Sequence, residues 1–195
     1  MFATDKIDEQ NVKIFNTIVE GLSLKTKLVY FQSHVESLYY YTIHQPKDVW
    51  NGQVLACEYE KDMMITHRLE FNRNTTPVVS FSETEKFNNI EIGNKDRNFL
   101  NILHKNCDGR YVSSVQLIGN GFKEEWYKDS LKYMCVNRRV FAGNNLYSKG
   151  ACYGVLEKIS PSDVGREYIY LGKDKLKANV GMEVMRRGQK SYLAL

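Results

Sequence analysis

The chain has 195 residues, 43% of them hydrophobic and 26% charged, with a formal net charge of +4. That length fits one domain with room for a small appendage, and the composition is ordinary for a globular protein with a buried core. A charge this small argues against nucleic acid, which needs a basic stripe, and no apolar run approaches the ~20 residues that span a bilayer.

In chain order, Met1 to Lys6 lacks the apolar core of a signal peptide. Asp8 to Gly21 is predicted helical, because Val12, Phe15, Val19 and Leu22 recur on one face and Gly21 supplies a stop. Lys27 to Gln32 reads as a strand. Ser33 and Glu36 have the spacing of a capping box, so a helix is expected from Ser33 to just before Pro46. Gln53 to Glu60 and Met63 to Phe71 are β-rich runs joined by Lys61-Asp62, a hairpin pattern. Asn72 to Pro77 is a second turn and Val78 to Phe81 a third, short strand. Ser82 to Asn94 is polar and reads as a loop or a short solvent-facing helix. Lys95 to Asn106 is predicted helical, with Phe99, Ile102 and Leu103 apolar. Asp108-Gly109 then turns the chain into a strand, Tyr111 to Ile118.

The stretch from Val115 to Gly154 organises the rest. An apolar strand stops at Gly119-Asn120-Gly121, and a helix is expected almost at once, with Tyr127, Leu131, Met134 and Cys135 on one face. A strand running into a glycine turn and a helix start is a generic place to hold an anion or a nucleotide. Arg138 and Arg139 either pair with carboxylates or form a partner-binding knob. Asn144 to Lys158 is predicted helical with Gly150 inside it. Glycine there costs about 1 kcal/mol against alanine, which signals a close approach, either to a neighbouring strand, helix–sheet packing being the commoner reason, or to a nucleotide.

Ser160-Pro161 opens a linker. Tyr168 to Leu171, Ala178 to Met185 and Ser191 to Leu195 look like strands, so the expected division is a domain over 1–160 and a β-rich tail over 161–195. The apolar close suggests a piece of a longer protein or a small β appendage. Arg186, Arg187 and Lys190 read as a solvated basic strand or turn. Cys57, Cys107, Cys135 and Cys152 have no C-x-x-C spacing and are expected as reduced, mostly buried thiols of a cytoplasmic protein. His34, His44, His67 and His104 lack ligand spacing, so no metal site is expected.

The strand, the loop Gly119-Asn120-Gly121-Phe122 and the later helix bearing Gly150-Ala151 together resemble the second half of the actin-like ATPase superfamily. That superfamily includes sugar kinases, heat-shock chaperones and actin. The whole chain looks like an uncharacterised bacterial family of degenerate actin-like proteins. The resemblance implies an α/β fold with an RNase-H-like mixed sheet and flanking helices. It implies that Gly119, Asn120, Gly121, Phe122 and Gly150 lie against a nucleotide and that Glu58 stands in for the hairpin acid, a place that Glu60 or Asp62 could fill as well. Lys95 and Arg97 correspond loosely to cationic side chains near the adenine, with solvent exposure the plainer reading. Glu36 is similar to a helix glutamate of the superfamily, beside its local reading as part of the capping box.

Two departures matter. Active members place an acid, glycines and Thr or Ser in the first hairpin; this chain has Cys57-Glu58-Tyr59-Glu60-Lys61-Asp62, with no glycine between Gly52 and Gly93. Side chains then occupy space that phosphates need. The Asp-x-Gly loop of a first half is also missing, and only one of two halves fits this length. The expected function is a non-catalytic actin-like interaction or scaffold module, acting through protein partners or self-association, with no cofactor of its own. The alternative is the nucleotide-binding half of an ATPase, taking ATP with magnesium in a longer parent and needing the missing half for hydrolysis. A third reading is a nucleic-acid-associated module using the basic tail.

Overall fold

A computed structural model describes residues 1–5, 7–22, 29–172, 181–186 and 189–194. The chain opens with β1 (Phe2–Thr4), α1 (Glu9–Gly21), β2 (Phe31–Ser33) and α2 (His34–Ile43). β1 and β2 pair in parallel as a small separate sheet. Asp8 caps α1 by accepting from the Asn11 N–H, and Ser33 caps α2 by accepting from the Glu36 N–H at 3.0 Å, the serine half of the expected box.

The main sheet begins with β3 (Gln53–Glu60), β4 (Met63–Asn72) and β5 (Val78–Asn88), an antiparallel meander. After α3 (Lys95–Cys107), β6 (Val112–Ile118) returns parallel to β3. α4 (Lys128–Met134), β7 (Arg139–Ala142), α5 (Leu146–Ile159), α6 (Asp163–Glu167) and β8 (Tyr168–Tyr170) follow. The six strands lie in the order β7-β6-β3-β4-β5-β8, a mixed sheet. β9 (Gly181–Arg186) and β10 (Gln189–Ala194) form an antiparallel hairpin, a second two-stranded sheet.

Strand alternation divides the core between the two faces of the sheet. Leu55, Cys57, Tyr59, Met64, Val115 and Leu117 pack against Phe99, Ile102 and Leu103 of α3 and Met134 of α4. On the opposite face, Ala56 and Ile118 meet Leu38 of α2 and Leu146 of α5, while Val54 and Leu69 pack with Tyr39, Ile43 and Trp50. All seven residues of β6 are buried, as expected of a central strand covered on both sides. The fold class is therefore α/β with helices flanking a mixed sheet.

Several expectations change. Ser82–Asn88 is strand, not loop or helix, because β4 offers an unbroken partner as far as Met63 opposite Asn88; its polarity reflects an open edge. The helix after Gly121 does not start at once. A single 3₁₀ turn, Asn120–Phe122, precedes a loop, and α4 begins only at Lys128. α1 buries none of its residues fully, and Leu22 is exposed. Cys57 and Cys107 are buried and Cys135 and Cys152 are exposed, all four as free thiols. Lys27, Leu28, Ala178–Val180 and Leu195, parts of three expected strands, and Arg187 of the expected basic cluster lie outside the described residues.

The division near residue 160 does not separate the segment after it. Tyr168–Tyr170 is the sixth strand of the main sheet, and Tyr39 Oη donates to Tyr168 O at 2.8 Å. Glu157 of α5 accepts from the Ser162 N–H at 2.9 Å and lies 3.0 Å from His44 Nε2, tying α6 and the end of α2 together. Arg139 takes the first of its two expected roles, pairing with Asp48.

α2 and α5 lie in close contact. A Cβ on Gly150 would overlap the Ser37 carbonyl, and one on Gly154 would overlap the Gln32 side chain. Gln32 is fully buried and donates to Ser37 Oγ at 2.9 Å and Gly150 O at 3.3 Å. The close approach read from the mid-helix glycine is present, but its partner is the helix α2 and not a neighbouring strand. Gly150→Ala is expected to lower unfolding free energy by about 2–3 kcal/mol in urea, since a backbone carbonyl cannot rotate away. Gly154→Ala is expected to cost less, because its obstacle is a side chain.

Candidate functional site

The candidate site lies where β3 and β6 end. Glu58 pairs in register with Ile118, so the Glu58–Glu60 end of β3 lies beside the loop at Gly119. α5 starts at the same end: Asn144, two residues before it, accepts from the Gly119 N–H through its side-chain oxygen at 3.0 Å. α2 starts there too, since His34 stacks on Tyr147 of the first turn of α5 at 4.2 Å.

The loop is closed by its own neighbours. Gly119 has φ +103°, a conformation that favours glycine. A Cβ on Gly119 would overlap the Tyr59 carbonyl, and one on Gly121 would overlap the Tyr59 ring. The Asn120 N–H donates to Glu60 Oε1 at 3.0 Å, the Phe122 N–H to Gly119 O at 3.4 Å, and Trp126 Nε1 to Gly121 O at 2.7 Å. Tyr59 is itself locked: its ring meets Phe122 and Trp126 edge-on, and its hydroxyl donates to Glu91 at 2.7 Å.

The preceding hairpin turn is equally tight. Lys61 and Asp62 both have positive φ, 55° and 99°, in a two-residue connection. Asp62 accepts from the Glu91 N–H at 2.9 Å, and Lys95 bonds Glu91 at 3.0 Å while lying over the rings of Tyr59 and Trp126. Lys95 is thus engaged with its own fold rather than simply solvated.

On the α2/α5 face of the sheet lies a polar cluster. Tyr147 Oη donates to Glu58 Oε2 at 2.7 Å. His67 of β4 places Nε2 3.9 Å from that carboxylate and Nδ1 2.9 Å from Thr84 Oγ1 of β5. Burial, with the neighbouring charges of His34 and Lys86, pushes His67 down to about 4. Burial also lowers His34, partly offset by Glu58 and Asp5. Burial, then Glu58, pushes the Tyr147 phenol well above its ordinary range. At neutral pH the cluster thus holds a neutral imidazole of weak basicity beside a carboxylate capped by a phenol. Among the described residues no group of three or more His, Cys, Asp or Glu has the arrangement of a metal site.

The expected positions therefore separate. Gly119, Asn120, Gly121 and Glu58 come together at one end of the β3–β6 pair. Phe122 points into the opposite core, against Phe99 and Trp126. Gly150 serves the contact with α2. His34, His67 and Tyr147 are the residues that sequence reasoning missed. A usable signal existed: a two-residue turn sets Glu60 opposite Met63, which places His67 opposite Ala56, diagonal to Glu58.

One comparison identifies related sequences. The model described as "Family of unknown function (DUF5716) C-terminal" matches residues 1–173. No curated protein and no solved structure matches the chain. Among the described residues no helix is long and apolar enough to cross a membrane.

The His67 shift sets a pH dependence. Unfolded, the imidazole titrates near 6.5; folded, near 4. The unfolded state therefore binds the extra proton between these values, so the contribution is complete above pH 6.5 and is lost as pH falls toward 4. The expected loss is on the order of 1–3 kcal/mol, read as a falling urea midpoint between about pH 7 and 4.5. His67→Gln should remove most of that slope.

Proposed function

We propose, for a chain that belongs to the DUF5716 C-terminal family, that it is a non-catalytic actin-like interaction or scaffold module. The observation that carries this reading is the closed loop after β6. A nucleotide cradle needs free backbone N–H groups facing the ligand. Here those of Gly119, Asn120 and Phe122 are bonded within the fold, and Tyr59 fills the space beneath Gly121. The hairpin that would touch phosphates in an active relative is a two-residue turn of Lys61 and Asp62, tethered to the Ile90–Glu91 backbone.

The fold half of the reading has its own support. β5-β4-β3-β6-β7 is a mixed five-stranded unit that opens with three antiparallel strands, as an RNase-H-like half would. α3 and α4 lie on one face and α5 on the other. The same placement favours the second reading, a nucleotide-binding half, because the glycine loop and the start of α5 meet at the ends of β3 and β6.

Calorimetric titration with ATP and magnesium separates the two. The scaffold reading predicts no binding heat up to millimolar nucleotide. Micromolar binding that disappears in Asn120→Trp would overturn it. Asn120 is the informative position because it is exposed, whereas any side chain at Gly121 would collide with Tyr59 whether or not a ligand binds.

A further inference from the structure

β5 has strand neighbours on both sides only at its start. Val79–Asn88 pairs with β4, whereas β8 covers only Val78–Ser80. One bond fixes the direction of the backbone groups beyond that point: Ser80 O accepts from the Leu171 N–H at 2.8 Å, so Ser80 faces β8. Peptide groups alternate sides along a strand. Ser82, Thr84, Lys86 and Asn88 therefore aim their N–H and C=O groups away from β4, along a stretch that no strand of the described residues covers.

The two faces beside this edge differ. On the α3 side, the end of β5 and α3 border a groove of about 550 Å³, with Phe87, Ile90 and Ile102 apolar and Asn98, Asn101 and Lys105 polar. Glu83 and Glu85 on this side are already engaged, by Arg68 and by Lys105. On the other side Lys86 is exposed and has no carboxylate partner among the described residues. A chain laid along the edge would meet an apolar groove with alternate side chains and a lone cation with the others.

We propose that this edge receives an extended peptide of a protein partner. The peptide adds as a strand beside β5, turning apolar residues toward the α3 groove and acidic residues toward Lys86. Main-chain bonds supply affinity in such strand addition, and the alternate side chains supply specificity. A second copy of β5 fits poorly, because two-fold pairing brings the acidic run Glu83–Glu85 against itself. The proposal rests on the interaction-module reading and names the chemistry of the partner.

The probe is a blocked octapeptide of alternating valine and glutamate, added to the full chain while amide exchange is followed by NMR. The amides of Ser82, Thr84 and Lys86 should exchange at least about tenfold more slowly at saturation, while those of Glu83, Glu85 and Phe87, already bonded to β4, stay unchanged. Lys86→Glu should weaken binding at least about fivefold and improve binding of the valine–lysine counterpart. Absence of binding at millimolar peptide, or protection elsewhere on the chain, would overturn the proposal. So would edge amides protected before peptide is added, whether at every concentration, as when the chain's own β9–β10 hairpin covers them, or only at high concentration, as with a second copy. ATP binding would overturn the scaffold reading without changing exchange along β5, so the two failures are distinguishable.

Discussion

Tyr59 holds the end of the sheet on which the candidate site is built. It is 1% exposed, and its carbonyl and ring lie where side chains at positions 119 and 121 would otherwise go. Glycine at both positions lets the loop after β6 settle onto β3. The same ring supports Phe122 and Trp126 and carries Lys95 over its face, while its hydroxyl fixes Glu91. Two short connections are thereby locked together, the turn at Lys61-Asp62 and the loop at Gly119–Gly121. The backbone donors of Gly119, Asn120 and Phe122 are spent on this closure.

The opposite face follows a different rule. Gly150 lets α5 approach α2 closely and Gly154 leaves room for Gln32 of β2, while His34 and Tyr147 come into contact above Glu58. The cluster is held by geometry rather than by charge pairing, since burial keeps His67 neutral. Its polar groups satisfy one another: phenol to carboxylate, and imidazole beside hydroxyl. Among the described residues the backbone of β5 beyond Ser80 keeps unused bonding capacity, on the side of the sheet away from β7.

Local signals in the sequence located most elements. The Ser33 cap, the Lys61-Asp62 hairpin, the Lys95 helix and the glycine stop at the end of β6 all appear where periodicity and turn chemistry put them. Readings that depended on partners fared worse. The polarity of Ser82–Asn88 concealed a strand, because half of its backbone bonds go to β4, thirteen or more residues away in sequence. Gly150 announced a close approach, read as one to a strand or a nucleotide, whereas the partner is the helix α2. The loop at Gly119 looked like a cradle because glycine permits both close ligand approach and close packing; the position of Tyr59 across the sheet distinguishes them. His67 became part of the site only through register, which individual residue types do not reveal.

The most direct test of the closed loop is hydrogen exchange at the Gly119 and Asn120 amides of the free chain. Bonds to Asn144 and Glu60 predict protection of at least about tenfold over an unstructured peptide, with Gly119 losing it in Asn144→Ala and Asn120 losing it in Glu60→Ala. Exchange of both amides at the unstructured rate would contradict the account, because it would mean donors left open to a ligand.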